Sequence, residues 1–297
     1  MDKLIVITGT TASGKSDITV EIAKKYGGEI VSADSRQVFK GLDLGTGKIT
    51  KEEMQGVPHY LLDVAEPGEY FSLADFQRLA YEAIDDINSR NKQAFLCGGT
   101  GLYINAVVDG YCLQEARPDP KLRKKVEETP IEELIALLKE KDPDAFTRVD
   151  LKNKRRVERA AEKVLLGRVG ELPKKKKYDS LVIGVTWPRD ILYERIGIRL
   201  DKRLEMGMID EVKALRDNGV SDEFLYKLGL EYRYILMYLR GEFSDFDSFK
   251  DKLFMEIRHL AKEQMTWFRK RDDIQWIDMD KDPVKRASEL IERFNAK

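Results

Sequence analysis

The stretch GTTASGKS, residues 9–16, decides how the rest of this chain is read, and it arrives after only eight residues. Gly9, Thr10, Thr11, Ala12, Ser13, Gly14, Lys15 and Ser16 match the spacing GxxxxGK[ST]. Such a loop turns backbone N–H groups onto phosphates, sends its lysine to the outer ones and sets its hydroxyl, here that of Ser16, where it can hold Mg²⁺. The flanks have the order this requires. Leu4, Ile5, Val6 and Ile7 form a short apolar run of strand type, and Ile18, Ile22 and Ala23 follow at helical spacing. Strand, loop and helix together make residues 9–16 a diphosphate- or nucleotide-binding loop.

Outward from the loop, residues 29–33 read as a second strand that ends at Asp34 in DSRQVF. Ligands of open α/β sheets bind beyond the carboxyl ends of strands, so Asp34 falls where chemistry would occur. Residues 72–88 place Leu73, Phe76, Leu79, Ala80, Ala83, Ile84 and Ile87 on a helical stripe, opened by Ser72 and Asp75 as a capping box. Residues 93–97 read as a third strand running into GGTGLY, a second glycine-rich loop that opens another helix. Residues 180–186 are strand-like again. After residue 189 the pattern is helical, with amphipathic segments over 191–215 and 246–268 and a short strand at 274–277.

Residues 117–178 interrupt this α/β pattern. They hold nineteen Lys and Arg against twelve Asp and Glu, a net of +7 in a chain whose total is −1. In LKNKRRVERAAEKVLLG, the residues Val157, Ala160, Ala161, Val164 and Leu165 make an apolar face, while Arg156, Arg159 and Lys163 line up on another. The run PKKKK reads as the return linker. The expected fold class is therefore α/β, a P-loop NTPase-like parallel-sheet core over 1–116 and 179–297 with a helical C-terminal region, interrupted by a basic helical insertion over 117–178. Such charge asymmetry suits a segment facing a polyanion, or a solvated helical surface.

Composition narrows the chemistry. At 297 residues and 34.2 kDa the chain can bury a large core. Cys97 and Cys112 lack the spacing for a metal site, and Cys97, ending a strand, reads as a small core residue. His59 and His259 lie too far apart to suggest a triad. No segment approaches the length needed to span a bilayer, so the expectation is a soluble cytoplasmic protein.

A phosphate loop names a ligand class and not a reaction. Residues 93–97 run into glycines where a Walker B strand would end in aspartate, and no Asn-Lys-x-Asp stretch for guanine is present. Asp34 can instead act as a base toward an acceptor beside the phosphates. That leaves transfer to an acceptor, by a kinase or a related enzyme.

GTTASGKS, DSRQVFKGLDLGTGK, PGEYFSLADF and CGGTGLYI, followed by DKRLEMGMIDEVKAL and AKEQMTWFR, resemble the tRNA dimethylallyltransferase family, in order and over nearly the whole chain. The resemblance implies transfer of a dimethylallyl group from its diphosphate to N6 of the adenosine 3′ to the anticodon. The loop would then hold a leaving group. It implies Asp34, Lys15 and Thr100 as catalytic residues, Mg²⁺ on Ser16, and RNA contacts from Asp34, Ser35, Arg36, Gln37, Thr100 and Arg123. With it, Arg156, Arg159 and Lys163 would follow phosphates of the tRNA anticodon stem-loop, and the protein would act as a monomer, away from membranes. A free-nucleotide dimethylallyltransferase and a small-molecule kinase are the alternatives. Trp267, at a helix end, reads as core and not as a base-stacking platform. Two positions depart from the family pattern. Phe39 stands where a tyrosine is usual, and Tyr226 stands where an arginine is usual, which leaves Lys227 or Arg233 to supply that charge.

Overall fold

A computed structural model describes residues 1–113 and 119–296, in two compact units, Met1–Gly110 with Lys176–Lys297, and Tyr111–Lys175. The boundary expected at 116/117 lies outside the described residues. The first unit begins with β1 (Lys3–Gly9), α1 (Lys15–Lys25), β2 (Glu29–Ser32), α2 (Lys51–Met54), β3 (His59–Tyr60), α3 (Leu73–Ser89), β4 (Ala94–Gly98) and α4 (Gly101–Val108). The second unit is α5 (Pro120–Glu128), α6 (Ile131–Lys141), α7 (Pro143–Arg148) and α8 (Lys154–Leu165). The first resumes with β5 (Asp179–Thr186), α9 (Arg189–Glu205), α10 (Met208–Asp217), α11 (Asp222–Leu228) and α12 (Leu230–Leu239). It closes with α13 (Phe246–Phe268), β6 (Ile274–Asp278) and α14 (Pro283–Asn295).

Six strands form one sheet in the order β3-β2-β4-β1-β5-β6, and every neighbouring pair is parallel. Crossover helices cover both faces of such a sheet, which explains why the central strands β1 and β4 are buried along nearly their whole length, whereas the edge strand β6 keeps exposed residues. Side chains still alternate. Leu4 and Val6 pack with Phe76, Ala80 and Ile84 of α3 and with Ile104 of α4. Ile5 and Ile7 pack on the other face with Ile18 and Ile22 of α1 and Ala287 and Ile291 of α14. α3 opens as its sequence demands, with Ser72 and Asp75 forming a reciprocal capping box.

The amphipathic segment expected over 191–215 is two helices. Gly207 adopts φ 94 and separates α9 from α10. A left-handed residue ends one helix and lets the chain redirect into the next. Together α9 to α13 build a second core around Leu200, Val212, Tyr232, Phe249 and Leu253. Phe39 joins it, edge-on to Phe224 with ring centres 5.3 Å apart.

This helical core grips the loop that follows Phe39. The Glu211 carboxylate accepts from the backbone N–H groups of Asp43, Leu44 and Gly45, at 3.1, 2.6 and 3.0 Å. Arg203, buried, donates to the carbonyls of Leu44 and Gly45 and pairs with Glu231 at 2.9 Å. Each buried charge thus has partners, the condition under which burial is tolerated.

In the second unit Val126, Leu134, Leu138, Val157, Ala161 and Val164 form the core. Leu165 is 47% exposed and lies outside the apolar face expected of it. Lys177 and Tyr178, placed by sequence in the insertion, belong to the first unit, where both side chains bond Asp85. Among the described residues, no helix is long and apolar enough to cross a membrane.

Glu29 opens β2 with its side chain only 2% exposed. Its carboxylate receives both Arg90 terminal nitrogens at 2.7 Å, Lys92 at 2.5 Å and the Tyr60 hydroxyl at 2.6 Å. The Arg90 bonds lead in holding its pKa at about 2, against an ordinary 4.5. A depressed acid stabilises the fold fully above its unfolded pKa and loses that contribution as pH falls through the folded one. Arg90 and Lys92 are themselves more than a third exposed, which screens the effect. Glu29→Gln should cost about 2 kcal/mol in urea denaturation at pH 7. That difference should shrink steadily below pH 4.5; a pH-independent loss would refute the electrostatic origin.

Candidate functional site

Sheet order brings three strand ends together. β4 lies between β1 and β2, in a register that pairs Thr8 with Gly98 and Ser32 with Cys97. The loops leaving these strands carry residues 9–14, Asp34 and the glycines of GGTG, so all three emerge on one edge. Between them and the helices α9 and α13 lies a cavity of about 560 Å³. Thr11 to Ser16, Asp34, Ser35, Arg36, Gln37 and Thr100 all line it; Gly9 and Thr10 do not.

Gly14, at φ 82, caps α1, and Lys15 and Ser16 sit in the helix's first turn with their amides free of intrahelical partners. A helix N-terminus presents such amides, and its partial positive charge, to an anion. Not every amide of the loop is available, contrary to the sequence expectation. Thr11 N–H donates to Gln264 Oε1 at 2.8 Å, and Ser13 N–H donates to the Thr10 carbonyl at 3.3 Å. Lys15 Nζ donates to the Thr10 carbonyl at 3.1 Å and has no carboxylate within ion-pair distance among the described residues. Burial pushes its ammonium below the ordinary value; Cys97 and Asp34 oppose that shift, while Arg199 adds to it. Cys97 itself is buried and accepts from the Thr19 hydroxyl at 3.2 Å.

Asp34 does two things at once. Its Oδ1 accepts from the N–H groups of Arg36 at 2.9 Å and Gln37 at 3.4 Å, an Asx turn that fixes the carboxylate after β2. Its Oδ2 has no hydrogen-bond partner among the described residues. Thr100 Oγ1 accepts from Ser35 N–H at 3.0 Å, so the second glycine loop and the DSRQ turn are tied together. Gln37 bonds inward, to the Gly47 carbonyl at 3.3 Å and to Ser32 at 3.4 Å.

Two elements complete the site that sequence reading did not assign to it. From α9, Arg195, Arg199 and Lys202 face the cavity at helical spacing. Arg195 Nε donates to the Ala12 carbonyl at 3.0 Å, with its guanidinium 4.8 Å from the Trp187 ring centre. From α13, Gln264 accepts from Thr11 and donates to the Gly99 carbonyl at 3.0 Å, bridging the two glycine loops. One turn on, Trp267 lies on Gly101, where a Cβ would come within 2.2 Å of its ring. Trp267 is half-buried against the core, in keeping with its sequence reading. In AKEQMTWFR, Gln264 and Trp267 stand three apart on one helical face, a spacing that says nothing of their distant backbone partners.

The basic residues lie in the second unit. Lys163 is exposed, and Arg156, also exposed, pairs with Asp150 at 3.7 Å. Arg123 and Arg159 are not free cations, because both pair with Glu162, Arg123 at 3.1 Å. Glu162 on α8 divides the expected row.

A loop of GxxxxGK[ST] spacing at the edge of a parallel sheet, facing a carboxylate with one open oxygen, defines a P-loop-like α/β protein. Residues 37–271 match the IPP transferase family. The chain is 41% identical to tRNA dimethylallyltransferase 2 of Shewanella sediminis, covering 97% of each chain. It is also 41% identical to tRNA dimethylallyltransferase of Halalkalibacterium halodurans, over 97% of this chain and 95% of that one. Among solved structures, the tRNA isopentenylpyrophosphate transferase of Bacillus halodurans superposes with a TM-score of 0.75 at 40% identity, covering 100% of this chain and 96% of that one. A eukaryotic dimethylallyltransferase acting on tRNA shares the fold at a TM-score of 0.82 and 24% identity, covering 100% of this chain and 80% of that one. This chain belongs to the IPP transferase family.

Gln264→Met keeps the side-chain volume and removes both bridging bonds. Hydrogen exchange at the Thr11 amide should then quicken about tenfold, the equivalent of one lost hydrogen bond. Unchanged exchange would show that Gln264 does not hold the two loops.

Proposed function

We propose that this protein transfers a dimethylallyl group from dimethylallyl diphosphate to N6 of the adenosine 3′ to the anticodon in tRNA, releasing diphosphate. The observation that carries this reading is the open Oδ2 of Asp34 in the same cavity as Lys15 and the first turn of α1. Nucleophile activation and leaving-group stabilisation thereby share one chamber.

The exocyclic amine of adenine is a weak nucleophile because its lone pair is delocalised into the ring. Asp34 Oδ2 accepts a hydrogen bond from N6, orients it, and takes its proton as the N6–C1 bond forms. The electrons of the C1–O bond leave with the diphosphate. Charge growing on that oxygen meets Lys15, the amides of the α1 first turn and the helix terminus, which are already in place. Thr100 holds the Ser35 backbone, and through it the turn that aims Asp34. The Ser16 hydroxyl lines the cavity without a hydrogen-bond partner among the described residues, so it is the group that would hold Mg²⁺. Bound there, Mg²⁺ would neutralise part of the leaving charge.

The target base has to leave its loop to reach a recessed cavity, and single-stranded loops release bases at a cost of about a few kcal/mol. Exposed Arg156 and Lys163 in the second unit offer charges to tRNA phosphates. Arg123 and Arg159 can join them only by exchanging Glu162 for phosphate. Arg36 and Ser35, on the cavity wall, are placed to meet the RNA beside the reacting base. The reading takes the protein to act as a monomer in the cytoplasm.

Nucleoside mass spectrometry of unmodified tRNA, incubated with the protein, Mg²⁺ and dimethylallyl diphosphate, tests the reading, with AMP as a parallel acceptor. Dimethylallyl-adenosine in the tRNA digest alone is the expected result; product from AMP alone would refute it. Asp34→Asn keeps the Asx turn and should lower kcat by about a hundredfold or more while tRNA binding is unchanged. Lys15→Ala should weaken dimethylallyl diphosphate binding about tenfold to a hundredfold, the worth of one charge-assisted bond. Full turnover of the first variant or full affinity of the second would remove that residue from the mechanism.

A further inference from the structure

Tyr226, one of the two departures noted in the sequence, lies in the last turn of α11 and is 44% exposed. A single exposed aromatic is ordinary on a protein surface. Its company is not. The Arg233 guanidinium lies 4.8 Å from the centre of the Tyr226 ring, and Arg233 Nε donates to the Tyr226 carbonyl at 3.0 Å. Ring and guanidinium are thereby held as one stacked pair. Lys227 takes no part in it, being paired with Glu223.

The turn between α11 and α12 fixes where this pair stands. Gly229 at φ 77 and Leu230 at φ 42 reverse the chain with no loop between the helices. A left-handed backbone is uncommon at a leucine and has to be held by its surroundings, so the turn is built and not slack. A Cβ on Gly229 would stand 3.6 Å from Nη2 of both Arg233 and Arg36. Two guanidinium groups thus converge on one glycine, and neither has a carboxylate within ion-pair distance among the described residues. Leu230 and Arg36 line the cavity, whereas Tyr226 and Arg233 do not. The aromatic ring therefore stands outside the cavity, one helical turn from its wall.

We propose that Tyr226, backed by Arg233, is a stacking platform for an RNA base next to the reacting adenosine, with Arg36 meeting the phosphate between the two. This rests on the transferase reading above. An exposed aromatic face beside guanidinium groups without acid partners is the chemistry that holds single-stranded nucleic acid, because every base offers a π-face and every linkage a charge. An apolar partner would leave both guanidinium groups unpaired. Extruding the target base takes a stacking partner from its neighbour, and the ring outside the cavity replaces that partner. Arg233 fixes the ring before RNA arrives, so little ordering is needed on binding.

Fluorescence titration of the full chain with tRNA anticodon stem-loops tests the assignment, using 2-aminopurine placed on the 5′ or the 3′ side of the target adenosine in separate RNAs. Stacking quenches this probe. At one of the two positions the complex with Tyr226→Ala should be brighter than the wild-type complex, while Tyr226→Phe should match the wild type. Tyr226→Ala should also bind RNA about tenfold more weakly and raise the KM for tRNA, with the KM for dimethylallyl diphosphate unchanged. The slope of log Kd against log salt should stay as it is, since a stacked ring neutralises no phosphate. Equal fluorescence at both positions overturns the proposal, and so does a shallower salt slope, which would mean that the ring only holds Arg233 against a phosphate. Should Tyr226→Ala melt early, Tyr226→Leu decides the matter, because it keeps apolar bulk without a π-face; wild-type affinity and fluorescence in that variant would overturn the platform. Quenching that depends on Tyr226 in a protein that transfers no dimethylallyl group would refute the transferase reading and leave the platform standing. Transfer by Tyr226→Ala at the wild-type KM for tRNA would do the reverse.

Discussion

Parallel pairing of β4 with both β1 and β2 is the constraint on which the site depends. Because hydrogen bonds fix Thr8 against Gly98 and Ser32 against Cys97, three loops separated by tens of residues leave the sheet at adjacent points. The pairing even continues past the strands, with Ala33 N–H bonded to the Cys97 carbonyl at 2.7 Å and Thr100 N–H to the Ala33 carbonyl at 3.2 Å. These bonds carry Asp34 and Thr100 to the mouth of the phosphate loop. Any slip of register would separate Asp34 from the loop of residues 9–16, since a strand advances about 3.3 Å per residue.

A second layer of constraint comes from the C-terminal helices, which act on backbone and not on ligand. Gln264 joins the two glycine loops, Arg195 holds Ala12, and Glu211 with Arg203 grips residues 43–45 from both their amide and carbonyl sides. Loops rich in glycine lose much conformational freedom when ordered, so they need such partners to stay preorganised. The chemistry proposed here asks for that preorganisation, because donors already in position need not reorganise as charge develops.

The cavity also shows how one side chain can have a structural and a chemical use. Asp34 spends one oxygen on its own turn and keeps the other open. Lys15 bonds a carbonyl of its own loop yet has no carboxylate within ion-pair distance among the described residues. In the second unit the balance tips the other way, since Glu162 pairs with Arg123 and Arg159, and Asp150 lies 3.7 Å from Arg156. A net charge counted along a segment overstates what the folded surface offers.

Local chemistry determined the elements that were legible in the sequence. The strand and helix that flank residues 9–16, the Ser72–Asp75 box and the helix over Phe246–Phe268 follow from spacing and capping within a few residues, and the structure bears them out. α14 had the same kind of signal, with Pro283 in its first turn and Ala287, Leu290 and Ile291 on one face, and went unassigned. The break at Gly207 could not be told from a helical glycine by periodicity alone, because φ 94 is chosen by how α9 and α10 pack. Gln264, Arg195 and Arg199 were beyond sequence reading for a deeper reason. Their partners, Thr11, Gly99, Ala12 and Gly47, are backbone atoms more than 150 residues away, and backbone atoms leave no residue-type signature. The sequence by itself determined the loop of residues 9–16, the carboxylate of Asp34 and the local elements that carry them; the tertiary structure decided what each side chain of the cavity pairs with, because only packing settles where each carboxylate and carbonyl falls.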